Sequence, residues 1–146
     1  MINISLTGPD NRLLRTAITR LDERGIGLVA AVGNDGPAAP PLYPAAYGSV
    51  IGVTAVNAAG ELYRWANQGE QVHFSAPGVA VPVATPDGGM ALDSGTSLAA
   101  PVVTSALACQ LDRLDLPGAV EALKSNAQDL GEPGRDTRFG HGLLDY

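Results

Sequence analysis

The run Ile26-Gly27-Leu28-Val29-Ala30-Ala31-Val32 carries no polar or charged side chain. A strand without polar alternation has no face to offer water, so it belongs in a parallel sheet covered on both sides. The residues before it supply cover for one side. Met1 to Leu6 reads as a strand, and Thr7-Gly8-Pro9-Asp10-Asn11 as a turn in which Asp10 or Asn11 can cap a helix. From about Arg12 to Arg24, Leu13, Leu14, Ala17, Ile18 and Leu21 recur at helical spacing, and Gly25 ends the run. Strand, helix and strand within roughly thirty residues make a right-handed crossover unit.

The rest of the chain continues in that style. Gly33 to Gly48 is a Gly/Pro/Ala-rich loop, and Ser49 to Asn57 is a second apolar strand. Short strands follow at Val72 to Ala76, Val79 to Val83 and Met90 to Leu92. A long helix runs from Thr96 to about Arg113, with Pro101 tolerable only because it lies near the first turn. A second helix covers Leu116 to Asn126, and the tail closes on a turn and a docked segment. The fold class expected is α/β, three-layer, a mostly parallel sheet flanked by helices.

Composition narrows the function classes. A hydrophobic fraction of 45% with only 16% charged residues supports a core and argues against disorder. The net charge is -6 and Lys and Arg do not cluster, so no nucleic acid partner is expected. No apolar stretch reaches the roughly 18 residues of a spanning helix, so no membrane segment is expected. Cys109 is the single cysteine, which excludes an internal disulfide and a Cys-based zinc site. It falls in the apolar run Ala106 to Leu111 and reads as a buried structural thiol.

Two turns are candidates for chemistry. Gly95-Thr96-Ser97 joins a short strand to the long helix and presents Ser97 at a helix N-terminus. Unpaired N–H groups there favour negative charge, as a tetrahedral oxyanion requires. Ser and Thr also begin helices as ordinary caps. Gly33-Asn34-Asp35-Gly36 ends the apolar strand with an exposed amide, at the end of a sheet where ligand sites gather. A plain Asn-Asp-Gly turn accounts for that segment equally well.

Taken together and in order, the segments say more. Ala30-Ala31-Val32-Gly33-Asn34 and Ser94-Gly95-Thr96-Ser97-Leu98-Ala99-Ala100-Pro101 resemble the oxyanion and nucleophile motifs of the subtilisin-like serine peptidases. Ile2 to Pro9 resembles the strand lining that family's substrate cleft. Tyr43-Pro44-Ala45-Ala46-Tyr47 with Val50 to Val56, Phe74-Ser75-Ala76-Pro77-Gly78, and Phe139-Gly140-His141-Gly142-Leu143-Leu144 resemble its later landmarks. The resemblance covers nearly the whole chain and implies the C-terminal half of a subtilisin-like fold over residues 1–146.

It implies roles as well. Ser97 would be the nucleophile of a serine endopeptidase that forms an acyl-enzyme. Asn34 and the Ser97 N–H would be the oxyanion donors, with Thr96 in support. Ser5, Leu6, Thr7 and Gly8 would pair with the substrate backbone. Ala31, Val32 and Gly33 would wall a roomy apolar pocket. Three positions depart from the family's habit: Thr7 where Gly is frequent, Leu98 in place of Met, and Val102 in place of His or Phe.

The family's order is Asp, His, Ser, and its Asp and His motifs precede the strand at which this sequence starts. His73 and His141 match neither, and Asp35 and Asp93 read as turn and strand-end residues. A serine without a base is a poor nucleophile, so the isolated chain is expected to be inactive. Its partners would be a peptide or protein substrate and the missing N-terminal half of the domain. The open edge at Ile2 to Leu6 would drive self-association. The alternative is a degenerate, non-catalytic module that binds extended peptides or a partner subunit. A lipase-like hydrolase is excluded because the Gly-x-Ser-x-Gly elbow is absent. No cofactor and no metal ligand set is read from the residues. By family analogy, carbonyls of Ala45 to Val50 could hold a weak calcium or monovalent cation, and an extracellular or cell-envelope location is implied.

Overall fold

The computed structural model describes residues 1–145. Four strands form one parallel sheet in the order β1 (Ile2–Ile4), β2 (Leu28–Ala31), β3 (Val50–Val56) and β4 (Phe74–Pro77). Register runs Ile2 beside Leu28, Leu28 beside Val50, and Val53 beside Phe74. Every side chain of β2 is buried, as its unbroken apolar sequence requires. The far edge of β4 is covered by the tail, where Ser75 N–H donates to Gly142 C=O and Leu144 N–H to Ser75 C=O. The outer edge of β1 has no strand partner among the described residues.

Two helical layers sandwich the sheet. Between β1 and β2 runs α1 (Arg12–Asp22), capped by Asn11, whose Oδ1 accepts from the N–H groups of Leu13 and Leu14. Its Leu14, Ile18 and Leu21 pack with Leu28, Ala30, Val32, Val50 and Tyr47 on one face. On the other face lies α2 (Thr96–Gln110), which touches all four strands. Ala99, Ala100, Val103, Ala106 and Leu107 of α2 are buried against Val29, Ala31, Val53, Ala55, Phe74 and Ala76. Beyond it α3 (Leu116–Asn126) adds Ala119 and Leu123 to the same core. Small residues on α2 let the helix axis approach the sheet closely. A hairpin of β5 (Val81–Ala84) and β6 (Met90–Asp93) stands apart from the main sheet.

The expected class and the three layers are as observed, with most elements shorter by a residue or two at their ends. The expectation for Cys109 fails. Cys109 is exposed, not buried. The buried stripe of α2 passes through Ala106 and Leu107, and Cys109, two residues on, has turned to the solvent side. An apolar run in a helix does not bury all of its members.

One buried side-chain atom among the described residues lacks a partner: Thr54 Oγ1, in β3. An unpaired buried hydroxyl costs about 1–3 kcal/mol, and valine fills nearly the same shape. Thr54→Val should therefore raise the urea midpoint of unfolding, by about 1 kcal/mol in stability. A lowered midpoint would show that the hydroxyl has a partner, such as a buried water.

Candidate active site

The carboxyl ends of three strands meet the N-terminus of α2. After β4, Gly78 accepts the Gly95 N–H at 2.8 Å. A Cβ on Gly78 would lie 2.7 Å from Ala55 Cβ and 2.9 Å from Gly95 O, so only glycine permits this approach. After β2, Asn34 reaches the same helix end. Its Oδ1 accepts both the Thr96 N–H and the Thr96 hydroxyl, each at 3.0 Å. After β1, Ser5 and Ser97 are joined by two hydrogen bonds, Ser5 Oγ to Ser97 C=O at 2.8 Å and Ser97 Oγ to Ser5 C=O at 3.1 Å.

Ser97 is not an ordinary cap. Gly95 is the N-cap of α2 and makes no side-chain capping bond. Asn34, distant in sequence, supplies an acceptor to the first turn instead. The Ser97 N–H lies in that first turn, where no helical carbonyl is in register to accept it. The two bonds at Asn34 Oδ1 also settle the amide's orientation: the oxygen faces Thr96, and Nδ2 takes no part in that pairing. Asn34 is exposed. The Asn34 carboxamide and the first-turn Ser97 N–H therefore share one helix end, the end that favours negative charge.

Thr96 ties the two motifs together. It is fully buried, and its Oγ1 accepts the Gly33 N–H at 3.2 Å while donating to Asn34. Asn67, which sequence reasoning missed, holds the other side of this turn. It is fully buried, and its Oδ1 accepts the Asp35 N–H at 2.8 Å. Its Nδ2 donates to Pro40 C=O, and its own N–H to Gly33 C=O at 3.0 Å. The only sequence signal for it is a polar residue inside a stretch that the fold buries.

Other expected residues lie as follows. Ser5, Leu6 and Thr7 extend beyond β1, and Leu6 is 77% exposed. Gly8 has both backbone groups bonded to Tyr43 at 2.9 Å, so it closes this segment and does not continue its free edge. An apolar cavity of about 420 Å³ lies alongside, lined by Ile4, Leu6, Pro9, Leu14, Tyr43 and Pro44 among others. The pocket expected behind Ala31, Val32 and Gly33 is not formed by their side chains. Ala31 and Val32 are buried in the cores on opposite faces of the sheet, as the end of a doubly covered strand must be. Gly33 has its N–H and C=O taken by Thr96 and Asn67.

Neither histidine pairs with Ser97. His73 Nδ1 lies 3.0 Å from both the Gly52 N–H and the Gln71 carbonyl, and the His141 ring packs on Phe74 at 5.7 Å. Asp35 is a turn residue, and Asp93 accepts the Ser94 N–H. Among the described residues, no three His, Cys, Asp or Glu side chains converge as a metal site would need. The Ala45–Gly48 segment lines a cavity of about 320 Å³ with Glu70, Gln71 and His73.

Burial, and then the charge of Arg135, hold His73 below its ordinary value of 6.5. Burial and then Lys124 act on His141 in the same direction. A histidine with a lowered folded-state value adds stability that is complete above the unfolded value and lost as pH falls through the folded one. Stability should decline as pH falls below the ordinary histidine value of 6.5, and less steeply in His73→Asn, whose Oδ1 can still accept the Gly52 N–H. Equal slopes would show that His73 carries none of the dependence. Thr96→Val leaves the buried Gly33 N–H unpaired and should cost about 1–3 kcal/mol in chemical unfolding, with Thr96→Ser retaining most of it.

Comparison with known proteins agrees with this geometry. The model of the subtilase family of peptidases matches residues 1–142. The chain is 39% identical over its whole length to the minor extracellular protease Epr of Bacillus subtilis, of which it spans 23%. It is 34% identical over 99% of its length to subtilisin DY of Bacillus licheniformis, of which it spans 54%. Among solved structures, the S41 psychrophilic protease superposes with a TM-score of 0.85 at 26% identity, covering 99% of this chain and 56% of that one. The chain thus spans about a quarter to a little over half of these proteins. With the family model matched over nearly every residue and the fold shared, the chain belongs to the subtilase family.

Proposed function

We propose that this chain is the portion of a subtilisin-like serine endopeptidase that carries the nucleophile Ser97 and the oxyanion donors. The observation that carries the reading is the pair of hydrogen bonds from Thr96 to Asn34 Oδ1, which holds the amide at the helix end that carries Ser97 and engages its oxygen, not its NH2. In the complete domain a histidine outside these residues removes the Ser97 proton as Oγ attacks the scissile carbonyl carbon. The carbonyl oxygen becomes the oxyanion and accepts from Asn34 Nδ2 and the Ser97 N–H. The histidine then passes its proton to the leaving amine, and the acyl-enzyme is hydrolysed by water through the same steps in reverse order of groups. An aspartate, also outside these residues, orients the histidine.

The substrate is an extended peptide running along Ser5, Leu6 and Thr7, whose backbone lies beyond the paired part of β1. The apolar cavity beside Leu6 favours apolar side chains. The segment supplying Asp and His is the natural partner of the free β1 edge. Without it, that edge pairs with another copy of the chain.

A fluorophosphonate probe separates the outcomes. The 146-residue chain alone should label at Ser97 slowly and cleave no peptide anilide. The same chain joined to its preceding Asp- and His-bearing segment should label rapidly, cleave the anilide, and lose both in Ser97→Ala. Rapid stoichiometric labelling of the chain alone would overturn the need for an outside base. A longer polypeptide that never labels would make the chain a peptide-binding module. Light scattering on the isolated chain should give masses above that of a monomer, and a monodisperse monomer would contradict pairing through β1.

A further inference from the structure

We propose that Ser5 is a positioning residue for Ser97, its hydroxyl standing in for the backbone N–H that Pro101 removes from α2. The inference rests on the reading of Ser97 as nucleophile. A helical carbonyl accepts from the N–H four residues further on. For Ser97 that residue is Pro101, inside α2 and without an N–H. The turn that carries the nucleophile is therefore missing the hydrogen bond that would hold its carbonyl. Ser5 Oγ donates to that carbonyl at 2.8 Å.

The rest of the Ser5 environment points its single proton the same way. Asn3 Nδ2 donates to Ser5 Oγ at 3.0 Å, occupying the oxygen as acceptor and leaving its proton for Ser97 C=O. Thr104 Oγ1, further along α2, lies 3.0 Å from Asn3 Oδ1. The single Thr104 proton is shared between Asn3 Oδ1 and the Ala100 C=O of its own helix, 2.9 Å away. The return bond, Ser97 Oγ to Ser5 C=O at 3.1 Å, holds the nucleophile's hydroxyl at rest. Rotation of Ser97 about its Cα–Cβ bond breaks that return bond but leaves its carbonyl in place. Ser5 Oγ can therefore hold the main chain of Ser97 while Oγ swings to a base.

This makes Pro101 and Ser5 alternatives. Replacing Pro101 with alanine restores an N–H for the Ser97 carbonyl, and the Ser5 hydroxyl becomes redundant. In the 146-residue chain, Ser5→Ala should raise the unfolding constant about fivefold. In the Pro101→Ala background it should change that constant less than twofold. Equal effects in both backgrounds would overturn the link. In the longer polypeptide bearing the Asp and His segment, Ser5→Ala should lower kcat about tenfold with KM within about twofold. Ser5→Thr or added Pro101→Ala should recover most of the loss. Full kcat in Ser5→Ala, or a loss that Pro101→Ala does not recover, would overturn the positioning role while leaving Ser97 as nucleophile. Failure of the unmutated polypeptide to label or cleave would instead overturn the nucleophile reading, and the positioning role with it.

Discussion

The N-terminus of α2 is wedged against the carboxyl ends of β1, β2 and β4, and each strand end holds it by a different bond. Gly78 accepts the Gly95 N–H, Asn34 accepts from Thr96, and Ser5 exchanges two hydrogen bonds with Ser97. A helix whose cap residue is glycine has no local side chain to fix its first turn. Here that job passes to residues brought in by the sheet. The consequence is geometric: the serine cannot take its place unless the sheet is in register, because every anchor of the turn comes from a different strand. Small residues make the approach possible, above all Gly78 and the alanines of α2.

The same wedge explains how chemistry is concentrated at one point. The helix end contributes partial positive charge and a free N–H, and β2 contributes a carboxamide whose orientation is fixed by Thr96. On the proposed function, none of these groups has to ionise or move for an oxyanion to be received. The buried polar residues of the region, Thr96 and Asn67, are bonded through their side chains and hold the Gly33–Asp35 turn from both sides. Among the described residues neither histidine pairs with Ser97, whose hydroxyl rests on the Ser5 carbonyl.

Much of this was legible in the sequence. The unbroken apolar run around Leu28 to Ala31 fixed the parallel sheet, because no half-exposed strand can lack polar positions. Asp10 or Asn11 announced α1, and the structure shows Asn11 as the cap; the two motifs meet through Asn34 and Thr96. What stayed hidden depended on three-dimensional neighbours. The pairing of Ser5 with the carbonyl opposite Pro101 joins residues 92 positions apart, and nothing in local pattern marks it. Asn67 carries no local signal, and only the fold, by burying it, shows its part in the turn. Cys109 looked buried because the run around it is apolar, although helical rotation turns it to solvent. The side chains of Ala31 and Val32 go to the cores on opposite faces of the sheet, a placement that the resemblance to a pocket wall does not foretell.

The central claim is that Asn34 and the first turn of α2 form one oxyanion-binding unit. Steady-state kinetics of Asn34→Leu in the polypeptide that includes the Asp and His segment tests it most directly. The expected result is a fall in kcat of about 100- to 1000-fold with KM little changed, the range measured when such a donor is removed from a subtilisin. A variant that keeps its kcat, or loses activity through KM alone, would contradict the claim.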